Sequence, residues 1–194
     1  METEFWFPVP IWRDNLGLTD KQIELAVSNC LAFSQQNKGR TLSNYGGWQS
    51  EELTSVDLDN LGLSFIQTTV QNMAQKCMEA LGSDRLTSIG NAWVNINWRG
   101  HFNKPHTHPR ADLVAVCYLT DATSPIVFKR QQDVFHYFLE NVSSNHLTES
   151  SFATVSYNPP KNTVIIFPAW LVHETKPHDE KNPRISVSVN FKST

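Results

Sequence analysis

Apolar and polar positions change their rhythm about halfway along the chain. Up to residue 82 the apolar residues recur every three or four positions, and from residue 91 they alternate. The first rhythm belongs to amphipathic helices, the second to strands whose two faces meet different surroundings. Ile23, Ala26, Val27, Cys30 and Leu31 predict a helix that begins at Thr19 and ends near Gly39, with Thr19 and Gln22 at capping-box spacing. Leu63, Ile66, Val70, Met73, Cys77 and Leu81 predict a second helix from near Asp59 to Leu81, closed by Gly82. Between them, Gly46-Gly47-Trp48 is a tight turn that presents a large aromatic, read as a buried anchor ahead of a substrate platform.

In the second half, Asn91, Trp93, Asn95 and Asn97 alternate with Ala92, Val94, Ile96 and Trp98. Further strands are predicted over residues 112–120, 125–128, 152–157, 162–167 and 184–191, and a short helix over 133–141. The last strand sets Arg184, Ser186, Ser188 and Asn190 on one face and Ile185, Val187, Val189 and Phe191 on the other. Asn162 closes a turn after Pro159-Pro160-Lys161 and is suited to positive φ. Two helices followed by at least six short strands predict a mainly β fold with supporting helices. The expected core is a double-stranded β-helix, or jelly roll. One domain over residues 1–194 is expected, with an N-terminal arm and helices in 1–88 and the jelly-roll core in 89–194.

Composition narrows the functional classes. A net charge of −3 and a pI near 6.1 give no electrostatic case for nucleic-acid or membrane binding. No apolar run reaches the roughly 18 residues that span a bilayer, and the first residues carry no secretory signal pattern. Cys30, Cys77 and Cys117 are scattered and form no CxxC, as expected of buried thiols in a reducing cytoplasm.

The candidate chemistry lies in Asn103-Lys104-Pro105-His106-Thr107-His108-Pro109 and in the distant His173. Histidines at i and i+2 on extended backbone point to one side, so His106 and His108 can share a metal ion. With His173 they make a facial triad with open positions. Arg184 opens the polar face of the last strand and offers a planar fork for a carboxylate. The plainer readings are loop histidines at 106 and 108, a satisfied core histidine at 173, and a structural ion pair from Arg184 to Asp179 or Glu180. Surface or hydrogen-bonding roles are expected for His101, His136, His146 and His178.

These residues bring the chain close to a known superfamily. Gly100-x-Phe102-Asn103-x-Pro105-His106-Thr107-His108, Tyr118-Leu119-Thr120, residues 160–167, His173, Pro177 and Arg184-Ile185-Ser186 follow one another in the order of the Fe(II)/2-oxoglutarate-dependent oxygenases. The order resembles the prolyl-hydroxylase branch. The opening residues 7–12 and Gly46-Gly47-Trp48-Gln49-Ser50 resemble a poorly characterised, often phage-encoded subgroup. The resemblance implies iron(II) held by His106, His108 and His173, with 2-oxoglutarate and O₂ as co-substrates. It implies oxidative decarboxylation to succinate and CO₂, coupled to hydroxylation of a substrate. Arg184 and Ser186 would hold the far carboxylate of 2-oxoglutarate. Tyr118 and Asn95 would line the same pocket, with core packing the other reading for Tyr118.

One position departs from the pattern. The superfamily places Asp or Glu where this chain has His108, and Asp112 is the alternative carboxylate. Two rival functions follow: a three-histidine dioxygenase that does not use 2-oxoglutarate, or a non-enzymatic metal-binding jelly-roll module. The expected partner besides O₂ is a peptide side chain, a small metabolite or a modified nucleobase. The expected location is the cytoplasm, that of the host if the protein is viral.

Overall fold

The computed structural model describes residues 9–130 and 152–194. The helix expected over 133–141, most of the N-terminal arm, His136 and His146 lie outside the described residues. In chain order the elements are β1 (Trp12–Asn15), α1 (Asp20–Gln36), β2 (Asn44–Tyr45), β3 (Trp48–Gln49), α2 (Ser55–Asn60) and α3 (Thr69–Ala80). Then come β4 (Thr87–Asn97), β5 (Phe102–Asn103), β6 (Leu113–Tyr118), β7 (Ile126–Lys129) and β8 (Thr154–Tyr157). The last three are β9 (Thr163–Pro168), β10 (His173–Thr175) and β11 (Arg184–Ser193).

A six-stranded antiparallel sheet runs β1-β9-β6-β11-β4-β3, and a three-stranded one runs β10-β7-β8. They are the two sheets of a jelly roll, and the fold class is the one expected. The central strands of the large sheet, β6 and β9 with most of β4 and β11, are buried on both faces. Ala92, Val94, Ile96, Ala115, Cys117, Ile185, Val187, Val189 and Phe191 pack outward with α1 and α3. Inward, Val114, Val116, Tyr118, Ile165 and Phe167 meet Ile126 and Phe128 of the small sheet. The inner core is therefore apolar under β6 and β9, and polar where β4 and β11 turn Asn95, Asn97, Arg184, Ser186 and Ser188 into it.

Local chemistry accounts for the joints. The capping box of α1 is present: Thr19 N–H donates to Gln22 Oε1 at 2.9 Å and Gln22 N–H to Thr19 Oγ1 at 3.3 Å. The second helix is not continuous, which corrects the expectation of one helix from Asp59 to Leu81. It is α2, a 3₁₀ turn at Ser64–Ile66, and α3. Gly62 at φ +73° ends α2, and Leu63 N–H donates back to Leu58 O at 2.7 Å, the bond pattern of a glycine C-cap. Leu58, Leu61, Leu63 and Ile66 all reach the same core, so the apolar spacing runs on across the break.

Asn162 adopts φ +67°, as expected. Its carboxamide also holds the N-terminal segment, accepting from Leu18 N–H at 3.1 Å and donating to Leu18 O at 2.8 Å. Glycine would supply the conformation without these bonds. Trp48 packs edge-on to Phe33, with ring centroids 6.1 Å apart, and donates to Asn37 O at 2.9 Å, so it anchors the α1 end.

Candidate metal centre

Two backbone hydrogen bonds bring the distant histidines together. His106 N–H donates to His173 O at 3.0 Å, and His173 N–H donates to His106 O at 3.1 Å. His108 N–H is tied to Ala169 O at 2.9 Å, just before β10. The three side chains each offer one ring nitrogen, and these nitrogens lie within 4.8 Å of one another. Ring centroids are 4.3 Å apart for His106 and His173, and 5.0 Å for His108 and His173. Trp93 stacks on His108 at 5.6 Å, and Phe167 sets its edge against His173 at 4.6 Å.

The hydrogen bonds on the far side of each ring decide what the near side can do. His106 Nδ1 faces Lys104 O at 2.7 Å, His108 Nδ1 faces Asn190 Oδ1 at 2.7 Å, and His173 Nδ1 faces Leu171 O at 2.9 Å. All three partners are acceptors, so the single proton of each neutral imidazole belongs on Nδ1. Each Nε2 is then a lone pair. Nε2 of His108 and Nε2 of His173 stand 3.2 Å apart with no proton to share.

Burial holds the rings neutral. His173 lies at about 3, through desolvation and the two neighbouring histidines. His108 lies at about 4, through desolvation and His106, and the Asn190 bond only partly offsets this. His106 is lowered by desolvation as well. Converging imidazole lone pairs, oriented by acceptors behind them, fit a divalent transition metal.

The alternative carboxylate is directed elsewhere. Asp112 Oδ2 accepts from Ser193 N–H at 2.6 Å and from Ser193 Oγ at 2.8 Å. His101 Nδ1 accepts from Trp98 N–H at 3.1 Å. His178 is 2% exposed and bonds Asn182 O through Nε2 at 2.6 Å, so both fill hydrogen-bonding roles.

Arg184 is 2% exposed, and no described carboxylate pairs with it. Its Nη1 donates to Ser124 Oγ at 3.0 Å and its Nη2 to Thr175 Oγ1 at 2.9 Å. The structural ion pair of the plainer reading is absent among the described residues: Asp179 instead accepts from Thr123 Oγ1 at 2.8 Å. Desolvation lowers the Arg184 pKa, and burial raises that of Tyr118, with Arg184 pulling the tyrosine back down. The two groups therefore sense each other in one buried space.

Ser186 sits opposite Asn95 on β4 and Tyr118 on β6. Asn95 donates to Ser188 Oγ at 3.1 Å, and its own Oδ1 is buried without a partner. Between this inner face and solvent, a groove of about 490 Å³ opens onto His106 and His108, walled by Arg40, Ser43, Trp93 and Lys104.

The sequence reading missed Asn190, Ser124, Thr175 and Trp93. Asn190 and Trp93 shared strand faces with residues already singled out, so their alternation carried the signal. Ser124 lies in a loop and carried none.

The family model described as "Putative 2OG-Fe(II) oxygenase" matches residues 91–190, which hold all three histidines and Arg184. The chain belongs to this family. Iron(II) is the metal and 2-oxoglutarate the co-substrate of such enzymes, and the protein is a 2-oxoglutarate-dependent oxygenase. No curated protein matches the sequence.

Among solved structures, a prolyl hydroxylase from Trichoplax adhaerens, in complex with a hypoxia inducible factor peptide fragment, superposes with TM-score 0.66 at 12% identity, over 94% of this chain and 83% of that one. The viral collagen prolyl hydroxylase of Paramecium Bursaria Chlorella virus-1 gives TM-score 0.63 at 11% identity, over 95% and 96%. HygX from Streptomyces hygroscopicus, with nickel and 2-oxoglutarate bound, gives 0.61 at 8% identity, over 96% and 84%. At these identities the likeness is one of fold. No helix among the described residues is long and apolar enough to cross a membrane.

Proposed function

We propose that this oxygenase binds iron(II) through His106, His108 and His173 and anchors 2-oxoglutarate through Arg184, to hydroxylate a substrate lying in the groove over the metal. The observation that carries the reading is Arg184, a buried guanidinium with no carboxylate partner among the described residues. Burying a charge without a counter-ion is costly, and the C5 carboxylate of 2-oxoglutarate is the counter-ion that the family supplies.

Ser124 and Thr175 each take one donor of the guanidinium, which leaves its remaining N–H groups for a carboxylate. Ser186 and Tyr118 then contribute hydroxyls on the same inner face, and Asn95, opposite Ser186 on β4, contributes a carboxamide. Iron(II), when bound, supplies activation of O₂ for oxidative decarboxylation of 2-oxoglutarate to succinate and CO₂ and for oxidation of a substrate C–H bond.

His108 changes the charge of the centre. Three neutral imidazoles leave the full dication, whereas two imidazoles and a carboxylate leave one positive charge. A dianionic co-substrate neutralises the former, and in a desolvated site that difference is large. Phe128 and Phe167 pack against the His173 ring and Trp93 stacks on that of His108, which shields these two rings.

The prolyl hydroxylases among the similar folds support hydroxylation as the reaction, on a peptide side chain or a small molecule. The three free, buried thiols support a reducing compartment such as the cytoplasm. With Fe(II), 2-oxoglutarate and O₂, the protein is expected to release succinate above an iron-free control. Full iron loading with neither succinate nor 2-oxoglutarate binding would transfer the assignment to a three-histidine dioxygenase of another kind, or to a non-enzymatic module.

A further inference from the structure

Asn103 stands in the run that carries the metal-site histidines, yet neither metal nor co-substrate binding accounts for it. It joins three elements. Its N–H donates to Thr175 Oγ1 at 2.8 Å, its Oδ1 accepts from Asn97 Nδ2 at 3.2 Å, and its Nδ2 donates to Ser43 Oγ at 3.2 Å. Thr175 Oγ1 donates to Asn103 Oδ1 at 3.4 Å and accepts from Arg184 Nη2 at 2.9 Å.

A hydroxyl has one proton and two lone pairs. Both lone pairs and the proton of Thr175 are used, and every one of those bonds leads to Arg184 or to Asn103. Beyond Asn103 the network reaches the groove wall. Ser43 lines the groove, and its carbonyl accepts from Lys104 N–H at 2.8 Å. Lys104 lines the groove too, and its carbonyl orients His106. There is no slack on the β2–β3 side: a Cβ on Gly47 would overlap the Asn97 carboxamide oxygen.

We propose that Thr175 and Asn103 are positioning residues that couple the co-substrate anchor to the wall of the substrate groove at Ser43 and Lys104. The proposal rests on the assignment of Arg184 to 2-oxoglutarate. An anion held by the remaining donors fixes the Arg184 guanidinium in one place, and with it the Thr175 hydroxyl that Nη2 bonds and the Asn103 ribbon bonded to that hydroxyl. Coupling between two binding sites is reciprocal, so a ligand that orders Ser43 and Lys104 tightens 2-oxoglutarate binding.

The test uses the whole protein with Fe(II) under anaerobic conditions, titrated with 2-oxoglutarate. Affinity is read by absorbance, and amide hydrogen exchange is read at residues 42–45 and 102–106. In the wild type, 2-oxoglutarate slows exchange at both segments. Thr175→Val keeps the side-chain shape and removes the hydroxyl: 2-oxoglutarate affinity drops about tenfold, iron still binds, and the slowing disappears. Thr175→Ser restores both. Asn103→Ala keeps its backbone bond to Thr175, so it retains co-substrate affinity while residues 42–45 stop responding.

Wild-type affinity in Thr175→Val, or wild-type exchange indifferent to 2-oxoglutarate, would overturn this coupling and leave the Arg184 assignment standing. A wild-type protein that binds iron but not 2-oxoglutarate overturns both.

Discussion

The two faces of β11 are almost equally hidden from solvent and opposite in character. Ile185, Val187, Val189 and Phe191 are 0% exposed and pack toward the helices, while Arg184, Ser186 and Ser188 are 7% exposed or less and face the interior of the jelly roll. Burying the first set stabilises the fold by about 25 cal/mol per Å² of apolar surface. Burying the second set costs free energy unless each group finds a partner. An apolar inner face would fold at least as well, as it does under β6 and β9. On the proposed reading the polar inner face is the binding surface, and the outer face is what holds it in place.

The comparison can be broken first from the outside. Phe191→Ala should lower unfolding free energy by about 3–5 kcal/mol, the usual range for a buried aromatic. The folded fraction should still bind metal with wild-type affinity. Chemical denaturation and metal titration together check this, and a lost metal site at full folding would mean that the faces are not separable.

One residue along, Asn190 belongs to the other face, with its Oδ1 on His108 Nδ1 at 2.7 Å. Asn190→Ala should cost about 10–100-fold in metal affinity, typical of removing a partner behind a ligand, with a much smaller loss of stability. His108→Ala should abolish tight binding and Asp112→Ala should not. The reverse result would reinstate the carboxylate as ligand.

Acid sharpens the contrast without any mutation. His108 and His173 lie at about 4 and about 3 in the folded protein, against an ordinary value of 6.5. The unfolded chain therefore binds more protons than the folded one between these values, and stability falls as pH drops below about 6.5. Metal leaves in the same direction because each ligand must be deprotonated to bind. Denaturation of the metal-free protein at pH 7 and pH 5 should show the loss, and equal stability would mean the rings are not held neutral.

Much of this was legible in the residues. The i, i+2 histidines, the third histidine and the alternation of β11 named the site, because period two is a property of the strand itself. Alternation tells that two faces differ and does not tell whether the polar one meets solvent or a cavity. Only the second sheet, closing over β4 and β11, makes Asn95 and Arg184 interior residues. The partners of Arg184 were out of reach for a related reason. Ser124 comes from a loop 60 residues before Arg184 and Thr175 from a short strand nine residues before it, and only the fold brings both onto the guanidinium. The broken second helix had its signal in Gly62 and in the Thr54–Asp57 capping pair, masked by apolar spacing that continues through the turn.

The claim that the buried polar face binds 2-oxoglutarate turns on Arg184. The direct measurement is anaerobic titration of the Fe(II) protein with 2-oxoglutarate, following the visible charge-transfer band, in wild type, Arg184→Lys and Arg184→Ala. Lysine keeps the charge and loses the planar fork. The account predicts a band in the wild type, affinity lower by about one to two decades in Arg184→Lys, a larger loss in Arg184→Ala, and iron binding intact in all three. A band that titrates identically in Arg184→Ala would contradict it.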